Sequence, residues 1–399
     1  MDFTKKTPLD LSTSLKFIFS IQFFSIAFSH FMTDLYLGQR SVYLAFIANQ
    51  THMSNATLGL ITTLAVVGAG LSQPIFGWIA DKIGARRMIL IALIWTTLLF
   101  TLSTLLPIGV AGLLFILANL GAGMYHPAGV SQATLIGRAR LVGRETTAAS
   151  YFFLFGQLGF FIGPLVGGFL LAQGGQLNLL WLVLLAIPAF VFVSSGLKQL
   201  PVQRKPSPAE VPFAQFERSR PKAAAVIALI LVAIFYAWST QNVTAFVPKH
   251  VADLGLPASI YGLLASIFIG GTVIGNLVGG ALADKIGKRL VILGAMGLAS
   301  LPMLALAMVP YSGWWFLLLF LAGALTGAAY SSLVVLGQRL APGGGALASG
   351  LVLGFIFSAG ALGAAFTGII ADAWGFTPVY YLSAGLVLLG GLSAFGIRE

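Results

Sequence analysis

Long apolar runs recur from one end of this chain to the other, and they restrict the fold more than any other feature of the sequence. A helix of about 20 apolar residues crosses the roughly 30 Å hydrocarbon core of a bilayer. Only 8% of the 399 residues are charged, against about 25% in an average soluble domain. A water-soluble fold would have too few charges to cover its surface. The sequence therefore predicts an all-α integral membrane protein with no separate soluble domain.

Polar residues, Pro and Gly divide the chain into twelve predicted membrane helices. Their approximate spans are 15–38, 55–79, 87–106, 109–136, 146–172, 177–197, 223–248, 257–282, 289–309, 312–339, 345–371 and 375–396. Six of them precede a polar, Pro-rich segment at 198–222, and six follow it. We expect an N-terminal six-helix bundle at 1–197, a linker at 198–222 and a C-terminal six-helix bundle at 223–399.

The basic residues fall on one side of this arrangement. With the N-terminus in the cytoplasm, all of the 22 Lys and Arg residues except Arg40 and Lys249 lie in cytoplasmic segments. The positive-inside rule therefore favours cytoplasmic termini. The same rule accounts for the net charge of +11, so we predict no nucleic-acid partner.

One loop segment occurs twice, about half the chain apart. GWIADKIG begins at Gly77 and GALADKIG begins at Gly280, each after the second helix of its half. An Asp at the N-terminal end of a neighbouring helix is stabilised there by the helix dipole, and Gly permits the turn that follows. The alternative is a charged turn that only obeys the positive-inside rule. The residues predicted to form a conformational latch are Gly77, Asp81, Gly84, Arg86, Asp284, Gly287 and Arg289.

The fifth helix contains GFFIGPLVGG, from Gly159 to Gly168. Gly159 and Gly163 lie four residues apart and share a helix face, which predicts a close helix–helix contact that Gly167 extends. Pro164 removes one backbone hydrogen bond and allows a bend. The alternative is that Gly and Pro are simply frequent in membrane helices.

Few ionisable residues lie within the predicted spans. His30 and Asp34 share a face of the first helix because they are four residues apart, Arg40 lies at or just beyond its outer end, and His126 lies in the fourth helix beside Pro127. Ionisable side chains at membrane depth are costly, and they usually line a cavity and act there. The structural alternatives are an Asp34–Arg40 ion pair, a helix–helix hydrogen bond from His30 and a backbone contact from His126.

Other polar and aromatic residues within the spans are candidates for binding a substrate. Each can instead serve helix–helix packing, where an interhelical hydrogen bond contributes about 0.6 kcal/mol on average. The candidates are Tyr36, Tyr125, Gln157, Trp238, Gln241 and Asn242.

The repeated loop segment resembles the signature G-x-L-A-D-R-x-G-R-K that the major facilitator superfamily carries after its second helix. The second copy fits better, since Ala85 departs from the pattern in the first. The resemblance implies a latch between helices that stabilises the outward-facing state. The fifth-helix segment is similar to the antiporter pattern G-x-x-x-G-P-x-x-G-G, which implies export.

Two segments narrow the resemblance to the fosmidomycin-resistance branch of that superfamily. SHFMTDLY and GAGMYHPAG match its His/Asp pair in helix 1 and its His-Pro in helix 4, and GQRLAPGGGALASGLVLGF at 337–355 is also similar. The Arg that drug antiporters carry in helix 4 is replaced by Leu117. His126 or Arg40 would then have to manage the proton in its place.

The sequence thus predicts a proton-coupled exporter of a small organic compound, drug or organic anion, in a bacterial inner membrane. Asp34 would carry the proton, and His30, His126 or Arg40 would tune it. The alternative is proton-coupled import of a nutrient or organic anion by the same fold. The chain has no Cys, and it lacks metalloprotease, serine-hydrolase and nucleotide-binding motifs. We therefore expect no enzyme activity, metal or cofactor. The resemblance to the major facilitator superfamily implies a monomer.

Overall fold

The computed structural model describes residues 11–141, 145–197, 223–340 and 345–397, and every regular element in these ranges is helical. The predicted linker at 198–222 lies outside the described residues. The helices are α1 (Leu11–Ile18), α2 (Ile21–Gly38), α3 (Arg40–Gln50), α4 (Asn55–Ile83), α5 (Ala85–Leu105), α6 (Ile108–Arg140), α7 (Glu145–Gly174), α8 (Leu180–Leu184), α9 (Ala186–Gly196), α10 (Ala223–Asp253), α11 (Ala258–Ile286), α12 (Lys288–Met308), α13 (Trp314–Leu340), α14 (Gly345–Trp374) and α15 (Phe376–Ser393).

The described helices account for twelve membrane crossings. Ten helices are long and apolar enough to cross a membrane, and the bent pair Ser12–Ile18 and Ile21–Gln50 supplies one more. One of the ten, Ser150–Gly196, has 47 residues, about 70 Å of helix and more than twice the bilayer core. Its two arms run in opposite directions along α2, so it crosses twice. The contacts that fix the directions are Gly159 with Phe31 and Gly163 with Leu35 for the first arm, and Leu182 with Tyr36 and Phe192 with Ser25 for the second.

The first crossing differs from its predicted span of 15–38. The chain bends by 71° between α1 and α2, where Ser20 is extended (φ −64°, ψ 137°). At the other end, helix continues from α2 through Gln39 into α3 and stops only at Gln50. Arg40, two residues beyond the end of α2, therefore begins a further helical segment. Neighbouring helices cover the polar residues Gln39 and Ser41, which are 0% and 8% exposed.

Two equivalent helix pairs join the bundles. α4 packs against α14, and α7 packs against α11, which pairs the second helix of each bundle with the fifth helix of the other. Glycines allow the close approach. A Cβ on Gly59 would lie 2.6 Å from the Ala364 carbonyl oxygen, and one on Gly168 would lie 2.5 Å from that of Ala258. The two bundles are thus related by pseudo-twofold symmetry.

The bundles meet at one end of the molecule and separate towards the other. The basic face is the face where α4 ends and α5 begins, and it carries Lys82, Arg86 and Arg87; the opposite face is where α4 begins. Near the opposite face, the Thr63 hydroxyl donates to the Ala361 carbonyl oxygen at 2.5 Å. Farther along the same helix pair, a Cβ on Gly70 or on Gly354 would meet no described atom within 4 Å. The space between α4 and α14 therefore opens towards the basic face.

Candidate functional site

Three ionisable side chains meet near the middle of the first crossing. His30 Nε2 lies 3.2 Å from Asp34 Oδ2, and His126 Nε2 lies 3.1 Å from Asp34 Oδ1. The first contact follows from the i, i+4 spacing on α2, whereas the second requires α6 to pack against α2. Among the described residues, Asp34 pairs with these two imidazoles and not with Arg40. We call His30, Asp34 and His126 the triad.

The inner imidazole of the triad is fixed in place. His30 Nδ1 lies 2.8 Å from the Phe152 carbonyl oxygen, and its ring stacks on the Phe152 ring with centroids 3.9 Å apart. A carbonyl oxygen only accepts, so Nδ1 carries a hydrogen and Nε2 faces Asp34. A hydrogen bond between Nε2 and Oδ2 then needs one proton, on either atom. A single hydrogen between Nε2 and Oδ2 therefore joins the pair.

The triad is graded from buried to accessible. His30 is 2% exposed, Asp34 14% and His126 27%. The neighbouring Tyr125 is fully buried, and its hydroxyl lies 2.6 Å from that of Ser29 and 2.8 Å from the Ile26 carbonyl oxygen. These bonds hold α6 against α2 beside the triad. His126 is therefore the most accessible member of the triad.

Glycines on α7 make room for the triad and for α2. A Cβ on Gly156 would lie 2.4 Å from His30 Cε1 and 2.6 Å from Asp34 Oδ2. One and two helical turns further, a Cβ on Gly159 or Gly163 would collide with the α2 backbone, and a Cβ on Gly167 would meet the side chain of Gln39. The predicted close contact along this helix is confirmed. Gly156, which the sequence analysis missed, extends the same glycine face by three residues.

The residues predicted to bind substrate are not gathered in one place. Tyr36 donates to the Leu182 carbonyl oxygen at 3.1 Å within the first bundle. Asn242 is fully buried and donates to the Ser383 hydroxyl at 3.2 Å within the second. Both contacts fit the packing alternative.

The remaining candidates differ in whether their polar side-chain atoms have hydrogen-bond partners. The half-buried Trp238 donates from its indole to the Thr367 hydroxyl at 2.8 Å. Gln157 and Gln241 are half-buried and hydrogen-bond no other described side chain. The Tyr125 hydroxyl is already hydrogen-bonded beside the triad. Gln157 directly follows Gly156, which lies against His30 and Asp34.

Arg40 lies apart from the triad. It is a half-buried residue at the start of α3 and forms no ion pair within the described part of the chain. The hypothesis that Arg40 tunes the proton on Asp34 requires the two side chains to lie together. The structure shows no ion pair between them.

At the basic face, the two repeated turns adopt the expected backbone. Gly84 and Gly287 have φ of 90° and 94°, which favours Gly at both positions. Asp81 is exposed and pairs with no described basic residue, and the Asp284 side chain lies outside what the structure describes. The other latch candidates make local contacts: Gly77 lies against Pro127, Arg86 donates to the Ser194 carbonyl oxygen at 2.7 Å, and Arg289 lies 5.8 Å above the Phe395 ring.

A third copy of the loop pattern forms a contact at the opposite face. GIIADAWG at 368–375 repeats G-x-x-A-D-x-x-G at the end of α14. Asp372 accepts hydrogen bonds from the backbone N–H groups of Asn55 and Ala56, at 2.7 and 2.8 Å. It thereby caps the N-terminus of α4, where an anion is favoured. Asp372 is not among the residues predicted from the sequence, although its segment carries the same pattern.

Replacing Asp372 by Asn is expected to loosen closure at the opposite face. Losing the anion from this exposed helix end costs about 1 kcal/mol, roughly a fivefold change in population. The chain has no Cys, so a Thr63→Cys variant carries a single reporter in the closed interface. Its labelling by an impermeant maleimide from the opposite face should accelerate about fivefold. Asp253→Asn is the matched control, because Asp253 pairs with Lys249 on its own helix; equal rates with and without Asp372 would contradict the prediction.

Comparison with known proteins supports a shared fold. The family model for the Major Facilitator Superfamily matches residues 19–248 and 227–399. The fosmidomycin resistance protein of Escherichia coli (strain K12) is 29% identical over 385 residues, which cover 93% of this chain and 91% of that protein. The MFS-type transporter YfnC of Bacillus subtilis (strain 168) is 27% identical over 395 residues, covering 92% and 90%.

Solved structures give the same architecture at low sequence identity. The nucleoside transporter NupG superposes with a TM-score of 0.70 at 13% identity, over 94% of this chain and 98% of that one. A bacterial homologue of the human lysosomal transporter Spinster has a TM-score of 0.71 at 15% identity, over 94% and 93%. These two likenesses concern the fold alone.

Proposed function

This chain belongs to the Major Facilitator Superfamily and is a multi-pass membrane transporter, and we propose that it exports a small organic compound in exchange for protons. The membrane would be a bacterial inner membrane, with the basic face in the cytoplasm as the positive-inside rule favours. The proposal rests chiefly on one observation. A carboxylate midway along the first crossing contacts two imidazoles, one of which is 27% exposed.

In this orientation the described conformation opens towards the cytoplasm. There, Asp34 would release its proton by way of His126, and the substrate would enter between the bundles. Deprotonated Asp34 would remain 3.2 Å from His30 Nε2 and 3.1 Å from His126 Nε2, in position to accept a proton again. Reprotonation from the other side of the membrane would complete the exchange once the bundles rock about the central site.

A second candidate function is proton-coupled import. Two imidazoles gain positive charge when protonated, so an anion bound beside the triad would be favoured by the same protons. That linkage would move anion and proton in the same direction. The fifth-helix segment, similar to that of exporters, favours export instead.

Flux measurements in everted membrane vesicles test the direction. Fosmidomycin is the first probe, because the relative that is 29% identical to this chain is named for resistance to it; neutral and cationic antibiotics follow. An acidic lumen should drive accumulation of the exported compound inside the vesicles, and a protonophore should abolish it. Accumulation driven by an alkaline lumen would instead establish import coupled to protons. Vesicles without the protein provide the background.

A further inference from the structure

The three ligand atoms of the triad converge on one point. His30 Nε2, His126 Nε2 and an Asp34 carboxylate oxygen all lie within 4.8 Å of one another. We propose that the triad binds one divalent first-row transition-metal ion, with Zn²⁺ as the best match, in place of the coupling proton. The site was expected to hold no metal. The consequence for transport rests on the proposed function, whereas the binding itself does not.

The spacing of these atoms suits a small cation. Zn–N and Zn–O bonds of about 2.0–2.1 Å in a tetrahedron set adjacent ligand atoms about 3.3 Å apart. The imidazole–carboxylate distances are 3.2 Å from His30 to Oδ2 and 3.1 Å from His126 to Oδ1, and one ligand atom from each of the three residues lies within 4.8 Å of the others. Small side-chain rotations would therefore bring all three ligand atoms onto one metal ion. Two imidazoles and one carboxylate also leave a fourth coordination position open.

The surroundings of His30 hold it in the orientation of a metal ligand. Its Nδ1–H donates to the Phe152 carbonyl oxygen at 2.8 Å, which leaves the Nε2 lone pair directed at the site. Ligating histidines in metalloproteins are typically oriented by such a bond from the other ring nitrogen. Gly156 has no side chain, so α7 leaves the space beside His30 and Asp34 clear.

The ligand chemistry selects among cations. Imidazole nitrogen suits Zn²⁺, Ni²⁺, Co²⁺ and Cu²⁺, whereas Mg²⁺ and Ca²⁺ prefer oxygen. Few other side chains could bind such an ion, since the chain has no Cys and four His in all. His52 is exposed, and His250 lies 2.9 Å from the Tyr380 hydroxyl and stacks on Phe376. Within the described residues, the triad is the group found to bring three such ligands together.

Metal and proton compete for the same atoms. The ion requires an ionised carboxylate and neutral imidazoles, so its affinity falls as the pH falls. Among the described residues, the neighbours of the site are Phe152 and Gly156 of α7 and Tyr125 of α6, whose hydroxyl bonds to Ser29 and Ile26. An occupied Asp34 takes up no proton, so Zn²⁺ should inhibit proton-coupled transport.

Titration of the purified full-length protein, with any polyhistidine tag removed, tests the site. We expect calorimetry to give one Zn²⁺ per chain, and Co²⁺ to give the visible absorption of four-coordinate N/O ligation. His126→Ala and His30→Ala should each weaken binding by about 100-fold or more, since loss of an indirect supporting partner already costs 10–100-fold. His52→Asn is the matched control, because it removes an imidazole at φ 51°, where Asn is tolerated. Equal affinity in the parent and His126→Ala would overturn the inference.

Further measurements separate this inference from the proposed function. His126→Gln keeps a polar side chain of similar length, and a monodisperse His126→Gln protein that binds as tightly as the parent would also overturn the site. Zn²⁺ binding should weaken as the pH is lowered, by about tenfold per pH unit for each proton that the ion displaces. If Zn²⁺ binds the triad but flux ignores the pH gradient, only the proposed function fails. If flux is proton-coupled but Zn²⁺ binds the parent no better than the triad variants, only this inference fails.

Discussion

Replacing Asp34 by Asn is expected to abolish proton-driven accumulation while leaving the transporter folded. One proton crossing 100 mV supplies about 2.3 kcal/mol, and one pH unit adds about 1.4 kcal/mol. Together they sustain a gradient of about 500-fold for a neutral compound exchanged for one proton. An amide of the same shape takes up no proton at neutral pH, so the gradient should fall to equilibration. Steady-state accumulation in vesicles under an imposed pH gradient and potential measures this loss.

Substrate–substrate exchange without any gradient serves as the internal control. It needs the two bundles to alternate but needs no net proton movement, so Asp34→Asn should retain it. Retained exchange together with lost accumulation identifies a coupling defect and rules out misfolding. Full pH-driven accumulation by Asp34→Asn would remove Asp34 from the proposed mechanism.

Replacing Gly156 by Ala is expected to damage the triad without touching an ionisable residue. The new methyl carbon would lie 2.4 Å from His30 Cε1 and 2.6 Å from Asp34 Oδ2, and the stacked His30 ring has little room to yield. Overpacking of this kind costs about 1–3 kcal/mol, and a 1 Å displacement of reacting groups can cost about 100-fold in rate. Proton-driven flux and Zn²⁺ affinity should both fall by up to about 100-fold.

Gly294→Ala is the matched control for Gly156→Ala. Gly294 lies within α12, where a Cβ would meet no described atom within 4 Å. The Ala there should leave flux and metal affinity unchanged and favour the helix slightly. Equal flux in the two variants would mean that the α7 contact has no influence on the triad.

Local spacing allowed part of the site to be predicted. His30 and Asp34 are four residues apart, and helix periodicity alone puts them on one face. The contact with His126 depends on how α6 packs against α2, which no local pattern specifies. Substrate candidates such as Tyr36 and Asn242 illustrate the same limit. Their bonding within separate bundles follows from helix rotation, which a nearly uniform apolar sequence does not reveal.

Helix boundaries near polar residues were also hard to predict. The run Gln39, Arg40, Ser41 normally indicates a helix end at the membrane surface, but neighbouring helices cover it and α3 continues to Gln50. The twelve crossings were predictable because each depends on many apolar residues. Asp372 was detectable from the third G-x-x-A-D-x-x-G, but its contact joins residues more than 300 positions apart.

Because α4 and α14 run antiparallel, each end of the pair carries an Asp of one helix on the side where the other helix begins. Asp372 at the end of α14 now caps the start of α4, and Asp81 lies in the last turn of α4 at the basic face, on the side where α14 begins. Rocking that opens the opposite face would break the Asp372 cap and bring Asp81 towards the start of α14. Replacing one Asp–helix cap by an equivalent one would keep the inward-open and outward-open states at nearly equal free energy. A proton or a substrate molecule with only a small preference for either state can then decide which side of the membrane the protein faces.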